Sequence, residues 1–332
     1  MGAAFGVASI SLALSSCERI YEDLDPCPHG VSLRFIYDYN MEYANAFPKQ
    51  VDCLTLYIYD DKGNYVDTKT VTGTELQDEN YRMKIDLDKG NYHFVAYGGL
   101  ACEEKTFSVI EEPATGSKYT DLRVEMDKNR VAAARPADRK LHDMFWGELS
   151  LATADLYSQG VVEMMKNTNN IRIVLQQVNG GTVNADDFDF EITDNNSLFN
   201  YDNDLLTEGT SPILYTPWAK GQAQTGVSIV GPGQVVPQPV EVAYAELSTS
   251  RLMKKNNPRL VVKRHEDGKE VIDFPLNEYL LLTRSEYYKM GDQEYLDRES
   301  RWTLFFFLQN GIWLKTRIVV NNWVVRINNA EL

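Results

Sequence analysis

The sequence is short of basic charge, of cysteine and histidine, and of long apolar runs, and each shortage excludes something. Lys and Arg number 33 against 48 Asp and Glu, a formal charge of −15. No basic stripe is available to neutralise phosphates, which argues against nucleic acid as a partner. The same balance argues against electrostatic attachment to anionic lipid. The four cysteines show no CxxC spacing, and the four histidines (His29, His93, His142, His265) are scattered, so a structural zinc site is not expected. HExxH, GxSxG and GxxxxGK[ST] are all missing. Asp194-Asn195-Asn196-Ser197 and Tyr201-Asp202-Asn203-Asp204 carry many oxygen side chains without EF-hand spacing. Turn chemistry is expected there rather than calcium. His93, flanked by aromatics in a strand pattern, is read as a packing or hydrogen-bonding residue. The chain is therefore read as non-enzymatic, with no metal and no cofactor.

What is present begins at the N-terminus. An apolar run from Ala3 to Leu14 leads into Ser15, Ser16 and then Cys17, the pattern of a bacterial lipoprotein signal. In that pattern the cysteine becomes the mature N-terminus and carries acyl chains, palmitate among them. The run is shorter than the roughly 20 residues of a membrane-spanning helix. Residues 1–16 are thus expected to be a signal peptide, with Cys17 the lipidation site. Residues 17–30, which include Glu18, Glu22, Asp23 and Asp25, are read as an acidic tether. One feature departs from the pattern: Met1 to Leu14 contains no Lys or Arg, whereas a signal peptide normally opens on positive charge, so the true start codon is left open. With Cys17 acylated, Cys27, Cys53 and Cys102 remain, enough for one disulfide and one free thiol, with the pairing left open.

Beyond the tether the patterning is that of strands. Tyrosine occurs 19 times, and with Phe, Trp, Val, Ile and Thr it favours β structure. Strands are expected at Val31–Tyr37, Val51–Tyr59 and Val66–Val71. Tyr81, Met83, Ile85 and Leu87 alternate with charged residues, and Lys89-Gly90-Asn91 is read as a hairpin turn into Tyr92–Tyr97. Further strands are expected at Leu122–Arg130, Asp143–Leu149, Gly160–Met165, Ile171–Leu175, Phe188–Ile192, Val240–Thr249, Arg259–Lys263 and Val271–Phe274. Gly221–Pro239, rich in Gly, Gln and Pro, reads as an exposed loop, and Asn277–Leu282 as a short helix capped by Asn277. Gln309-Asn310-Gly311 marks a hairpin between Arg301–Leu308 and Ile312–Arg317, and Ile318–Ile327 a last strand. Closely spaced strands of this kind indicate antiparallel sandwiches, with a domain junction near residue 150. Of the five tryptophans, Trp218 is read as exposed, and Trp146, Trp302, Trp313 and Trp323 as core.

Several of these stretches resemble one family. Asp23-Leu24-Asp25-Pro26-Cys27-Pro28, Val31–Tyr37, Ala46-Phe47-Pro48, Val51–Gly63, Gly90–Gly99, Asp143–Glu148 and the Trp-containing final strand are similar to FimB-type fimbrial anchor subunits. These are the lipoprotein base subunits of Bacteroides-type (type V) pili. The resemblance implies an all-β chain of two tandem transthyretin-like antiparallel β-sandwiches, over residues 31–150 and 151–332. It implies attachment to the outer membrane through lipid on Cys17, exposure at the cell surface, and a fimbrial stalk subunit as partner. Subunits of related pili join by strand exchange, for which Ile318, Val320, Val324, Val325 and Ile327 are the candidate contacts here. It further implies that Glu18, Glu22, Asp23 and Asp25 act as a signal for export to the outer leaflet. The competing reading is a surface glycan-binding lipoprotein; an enzyme with an unrecognised carboxylate site comes third.

Overall fold

The computed structural model describes residues 29–154, 156–224, 227–230, 234–237, 240–284, 289–320 and 323–326, and for 227–230, 234–237, 315–320 and 323–326 the backbone. Among these, no helix is long and apolar enough to cross a membrane. The first part of the chain forms β1 (Gly30–Ile36), β2 (Leu54–Asp60), β3 (Tyr65–Val71), β4 (Met83–Asp86), β5 (Asn91–Gly98), β6 (Phe107–Val109), β7 (Val124–Met126), β8 (Phe145–Ala152) and β9 (Tyr157–Lys166). Seven of them make one bent sheet in the order β3-β2-β5-β8-β9-β1-β4. The bend comes where β8 meets β9, which pair only from Phe145↔Lys166 to Gly147↔Met164. Gly147 permits this close crossing, because a Cβ there would lie 2.5 Å from the Glu163 carbonyl oxygen.

Folding the sheet on itself creates a closed core. Val31, Leu33 and Phe35 of β1 face Leu54, Leu56 and Ile58 of β2, with Met83, Ile85, Phe94, Val162 and Met164 between them. The alternation at Tyr81–Leu87 identifies β4 correctly, but its partner is not the following strand. β4 pairs with β1, and β5 with β2 and β8. The Lys89-Gly90-Asn91 turn therefore carries the chain across the sandwich instead of closing a hairpin. Both strands present apolar faces to one core from opposite walls, and this burial outweighs local pairing.

The outer face of β2 and β5 is covered too. Tyr57, Tyr59, Val95 and Tyr97 pack under residues 100–141, including Phe107, Leu122, Val124 and Leu141. This covering segment is mostly irregular. Only Val124–Met126 of the stretch expected at Leu122–Arg130 is strand; Asp127 then caps a single helical turn, Lys128–Val131. A disulfide between Cys53 and Cys102 fastens the segment where it leaves the sheet, and Cys53 is buried.

The second part forms β10 (Thr168–Gln177), β11 (Phe188–Asp194), β12 (Leu198–Phe199), β13 (Ile213–Tyr215), β14 (Ala219–Gln224), β15 (Val227–Val230), β16 (Gln234–Pro237), β17 (Glu241–Ser250), β18 (Arg259–Arg264), β19 (Glu270–Pro275), β20 (Arg301–Gln309), β21 (Ile312–Val320) and β22 (Trp323–Arg326). A sheet β14-β17-β10-β20-β21-β22 faces a sheet β13-β11-β18-β19. Ile171, Ile173, Ala245, Leu304 and Phe306 pack against Phe190, Ile192, Leu260, Val262 and Phe274. The all-β, two-sandwich architecture is as expected, with one addition: each sandwich contains a parallel pair, β1 with β9 and β10 with β20.

Several local expectations are corrected. The chain leaves the first sheet at Lys166, so the junction expected near 150 falls inside β8. Residues 221–224 are not loop but part of the edge strand β14, where half-buried Ala219, Gly221 and Ala223 alternate with exposed Lys220, Gln222 and Gln224, and β15 and β16 form a hairpin. The helix spans Leu276–Leu281 with Pro275 at its N-cap; Asn277 is buried and donates instead to the Met253 carbonyl at 2.8 Å. The stretch Ile318–Ile327 is not one strand, because β21 runs to Val320 and β22 returns from Trp323.

The disulfide joins residues 49 apart in sequence, and closing such a loop removes about 4 kcal/mol of unfolded-chain entropy in the simplest account. The double substitution Cys53→Ser/Cys102→Ser is expected to lower the unfolding free energy by about 2–4 kcal/mol in a denaturant titration. A loss below about 1 kcal/mol would show that the covering segment holds without its covalent tie.

Candidate functional site: the first strand and the C-terminal hairpin

A chain that assembles by strand addition needs either an open sheet edge or a strand to give. β1 is the first described element, and it lies inside its sheet between β9 and β4. It runs parallel to β9 from Gly30↔Tyr157 to Ile36↔Glu163 and antiparallel to β4 from Gly30↔Asp86 to Leu33↔Met83. Gly30 makes the entry possible: its φ is +143°, and a Cβ would lie 2.0 Å from the Ile85 carbonyl oxygen. Val31, Leu33, Phe35 and the following Tyr37 are all at most 3% exposed. At about 1.5–3 kcal/mol each, their burial amounts to roughly 6–12 kcal/mol, comparable with the whole stability of a typical domain. Spontaneous withdrawal of β1 would therefore unfold the first sandwich. Arg34 sits within the ladder opposite Val161, so the peptide bond after it is held in a paired strand.

The loop leaving β1 is held just as firmly. Asn45 Oδ1 accepts from the Tyr37 amide at 2.9 Å, and Ala46 N donates to the Tyr37 carbonyl at 2.8 Å, closing residues 37–46 on themselves. Arg298, at the end of the helix Asp292–Arg298 in the second half, lies 4.0 Å from the Tyr39 ring and 4.7 Å from the Tyr43 ring. Its Nη1 reaches the carbonyls of Asp38 and Asn40 at 3.5 Å, while Glu294 accepts from Nε at 2.8 Å. Neither the helix nor this contact between residues about 260 apart leaves a local trace in the sequence.

At the other end, β20 and β21 form the expected hairpin, with Asn310 (φ 55°) and Gly311 (φ 76°) in the left-handed region its tight turn demands. Ile318 and Val320 lie in β21, opposite Phe306 and Leu304. Val324 and Val325 lie in β22, opposite Val319 and Ile318. These four candidate exchange positions therefore meet in one hairpin at the edge of the six-stranded sheet, where β22 completes its own sheet. Ile327, together with Cys17, Glu18, Glu22, Asp23, Asp25 and Cys27, lies outside the described residues.

Side chains that suggest chemistry are engaged elsewhere. His93 Nδ1 is 3.0 Å from Ser150 Oγ and Nε2 is 3.3 Å from Glu148, while the Tyr119 ring meets the imidazole edge-on at 4.4 Å. Hydrogen bonding by His93 holds the Glu148 carboxyl below its usual range, against the opposing effect of burial, and Tyr119 also donates to it. His93 and Ser150 are cross-strand neighbours, so the group is a polar seam fastening Tyr119 onto the sheet. Asp52, Cys102 and His142 also converge, which scattered sequence positions could not reveal. Cys102 is in the disulfide and offers no thiolate. Of the tryptophans, Trp302 and Trp313 are buried; Trp218 is half-buried, with Lys140 Nζ 4.9 Å from its ring.

These features fit a known group of proteins. The family model of fimbrillin-A associated anchor proteins Mfa1 and Mfa2 matches residues 24–329. The chain belongs to this family. Among solved structures, a candidate adhesin from Bacteroides thetaiotaomicron VPI-5482 is 60% identical, covering 92% of this chain and 100% of its own, with a TM-score of 0.84. A candidate polysaccharide-binding protein from the same organism is 30% identical over the same shares, with a TM-score of 0.74. The fimbrial anchor protein Mfa2 from Porphyromonas gingivalis, 13% identical, shares the fold over 90% of this chain and 99% of its own (TM-score 0.64). No curated protein matches. The family is one of structural fimbrial proteins rather than of enzymes.

Replacing Arg298 by Ala removes both ring contacts, each worth about 0.5–2 kcal/mol. Hydrogen exchange is expected to accelerate across residues 37–46, with a loss of about 1–3 kcal/mol in stability. Unchanged exchange in that loop would show that its internal hydrogen bonds suffice.

Proposed function

We propose that this protein is the lipid-anchored base subunit of a fimbria, held in the outer membrane through Cys17 and limiting fimbrial length. The observation that carries the reading is the state of β1. Where subunits join by strand addition, a groove is open only if a strand is missing. Here β1 is paired with β9 along its whole length and with β4 over Gly30–Leu33, and its side chains complete the core, so no groove is open at its place in the first sandwich. Growth would then proceed in one direction, from the C-terminal hairpin. The edge of β22 is the place where a stalk pilin would add its strand, with Ile318, Val320, Val324 and Val325 in the hairpin beneath. Membership of the anchor family supports the role.

Cells lacking the gene should show overlong or shed fimbriae by electron microscopy of cells and supernatant. Rescue is expected from the wild-type gene and not from Cys17→Ala. Normal fimbriae in the deletion strain would reject the anchor role.

The tether fits a second part of the proposal, that acidic residues after the lipidated cysteine direct export to the outer leaflet. Changing Glu18, Glu22, Asp23 and Asp25 to Ala should leave the protein inaccessible to protease added to whole cells. Unaltered accessibility would reject that role.

A glycan-binding reading draws support from the 30% identical candidate polysaccharide-binding protein. Trp218, the aromatic on which it would rest, already has Lys140 over its ring. Retardation on a polysaccharide affinity gel would favour it over the anchor role.

A further inference from the structure

Each sandwich contains one parallel strand pair that includes its first strand, and the placement of these pairs has a mechanical meaning. The chain enters the first sandwich at the N-terminal end of β1 and leaves it at the C-terminal end of β9. These strands are parallel and in register over seven residue pairs, Gly30↔Tyr157 to Ile36↔Glu163. The chain then enters the second sandwich at the N-terminal end of β10, and β20 lies beside it, its far end turning at Asn310-Gly311 into the C-terminal hairpin. Those strands are parallel over eight pairs, Asn170↔Arg301 to Gln177↔Leu308. When two parallel strands are pulled from opposite ends, the force runs along the ladder and every hydrogen bond shares it. When strands are pulled from the same end, the bonds open one at a time. The first sandwich thus places its entering and leaving strands side by side in the arrangement that resists tension, and the second places its entering strand beside the strand that leads to the C-terminal hairpin.

The link between the two pairs is itself fixed. Only Asn167 separates β9 from β10. It is fully buried, donates from its backbone to the Met144 carbonyl at 2.7 Å, and donates from Nδ2 to Asn203 Oδ1 at 2.6 Å. On one side of it the buried Lys166 Nζ meets Asp143 at 2.7 Å; on the other, Trp302 Nε1 donates to Asn169 Oδ1 at 3.3 Å, joining β20 to β10. Load leaving β9 therefore passes into β10 without a slack segment that would first straighten.

We propose that the chain is a force-bearing element, with β1∥β9 and β10∥β20 acting as two shear clamps in series between its N-terminal tether and its C-terminal hairpin. This rests on the anchor reading for where the load comes from, since that reading puts the membrane at one end and the stalk at the other. The strength of the clamps is a property of the fold and can be measured without cells.

The test is single-molecule pulling on the chain from residue 17 onward, carrying Cys17→Ala and Cys27→Ala, with one handle at the N-terminus. The second handle is attached in one variant through Asn310→Cys, beyond β20, and in another through Leu156→Cys, an exposed position just before β9. The first geometry shears both clamps, whereas the second pulls β1 and β9 from the same end and peels them apart. Matching near-ultraviolet circular dichroism verifies that both variants are folded. Because several ladder bonds must fail together in shear and singly in peeling, the rupture force at equal loading rate is expected to be at least about twofold higher through Asn310→Cys. Equal forces, or a lower force in the shear geometry, would overturn the proposal. High shear strength in a protein whose deletion leaves fimbriae normal would keep the clamps and reject the anchor; low strength with shed fimbriae would do the reverse.

Discussion

The placement of β1 between β9 and β4 is the constraint on which the rest of the structure depends. It supplies Val31, Leu33 and Phe35 to the first core and joins the two walls of the folded sheet. A sheet lacking it would expose two unpaired edges and an apolar trough, which is the condition that invites another chain's strand. With β1 in place the first sandwich is closed. The same strand is the first described element after Cys17 in the sequence, so on the proposed anchor reading the element that closes the sandwich is also the one drawn toward a membrane.

Closure at one end contrasts with availability at the other. The C-terminal hairpin ends the six-stranded sheet at β22, and nothing among the described residues continues that sheet beyond it. Between these ends the molecule is tied rather than hinged. Arg298 grips the loop after β1, Arg251 forms a two-pronged pair with Asp297 at 2.7 Å, and β12 of the second half pairs with β7 of the first. Burial on both faces of β2 makes the covering segment and its disulfide part of the same construction. The outcome is a chain whose first strand lies inside its sheet and whose last described strand lies at a sheet edge.

Much of this was legible in the sequence where the determinant is local. Alternation at Tyr81–Leu87 and Phe188–Ile192 reports strands with one face toward a core, and Asn310-Gly311 reports the turn whose backbone only such residues adopt easily. Pairing was less legible, because a turn reverses the chain without naming the neighbour. Lys89-Gly90-Asn91 looks like a hairpin turn yet links strands on opposite walls. Gly221 and Gln222 look like loop residues, but an edge strand with one exposed face tolerates them. Between Val320 and Trp323 the chain reverses, dividing what reads as one apolar strand into β21 and β22. Of the candidate site, the strand character of Ile318, Val320, Val324 and Val325 is legible in their apolar pattern, but their division between two strands is not. The parallel partner of β1 and the Arg298 contact depend on residues more than a hundred positions away, and no short-range pattern encodes them.

The measurement that tests the account most directly is the N-terminus of the protein recovered with purified fimbriae, determined by intact mass and peptide mapping. The account predicts a chain that begins at acylated Cys17 and retains Gly30–Ile36. A mature chain cleaved after Arg19 would lack the lipid anchor. One beginning at Phe35, after Arg34, would have lost Gly30–Arg34 of β1 and opened the groove that this structure holds closed. Either product as the main form would contradict it.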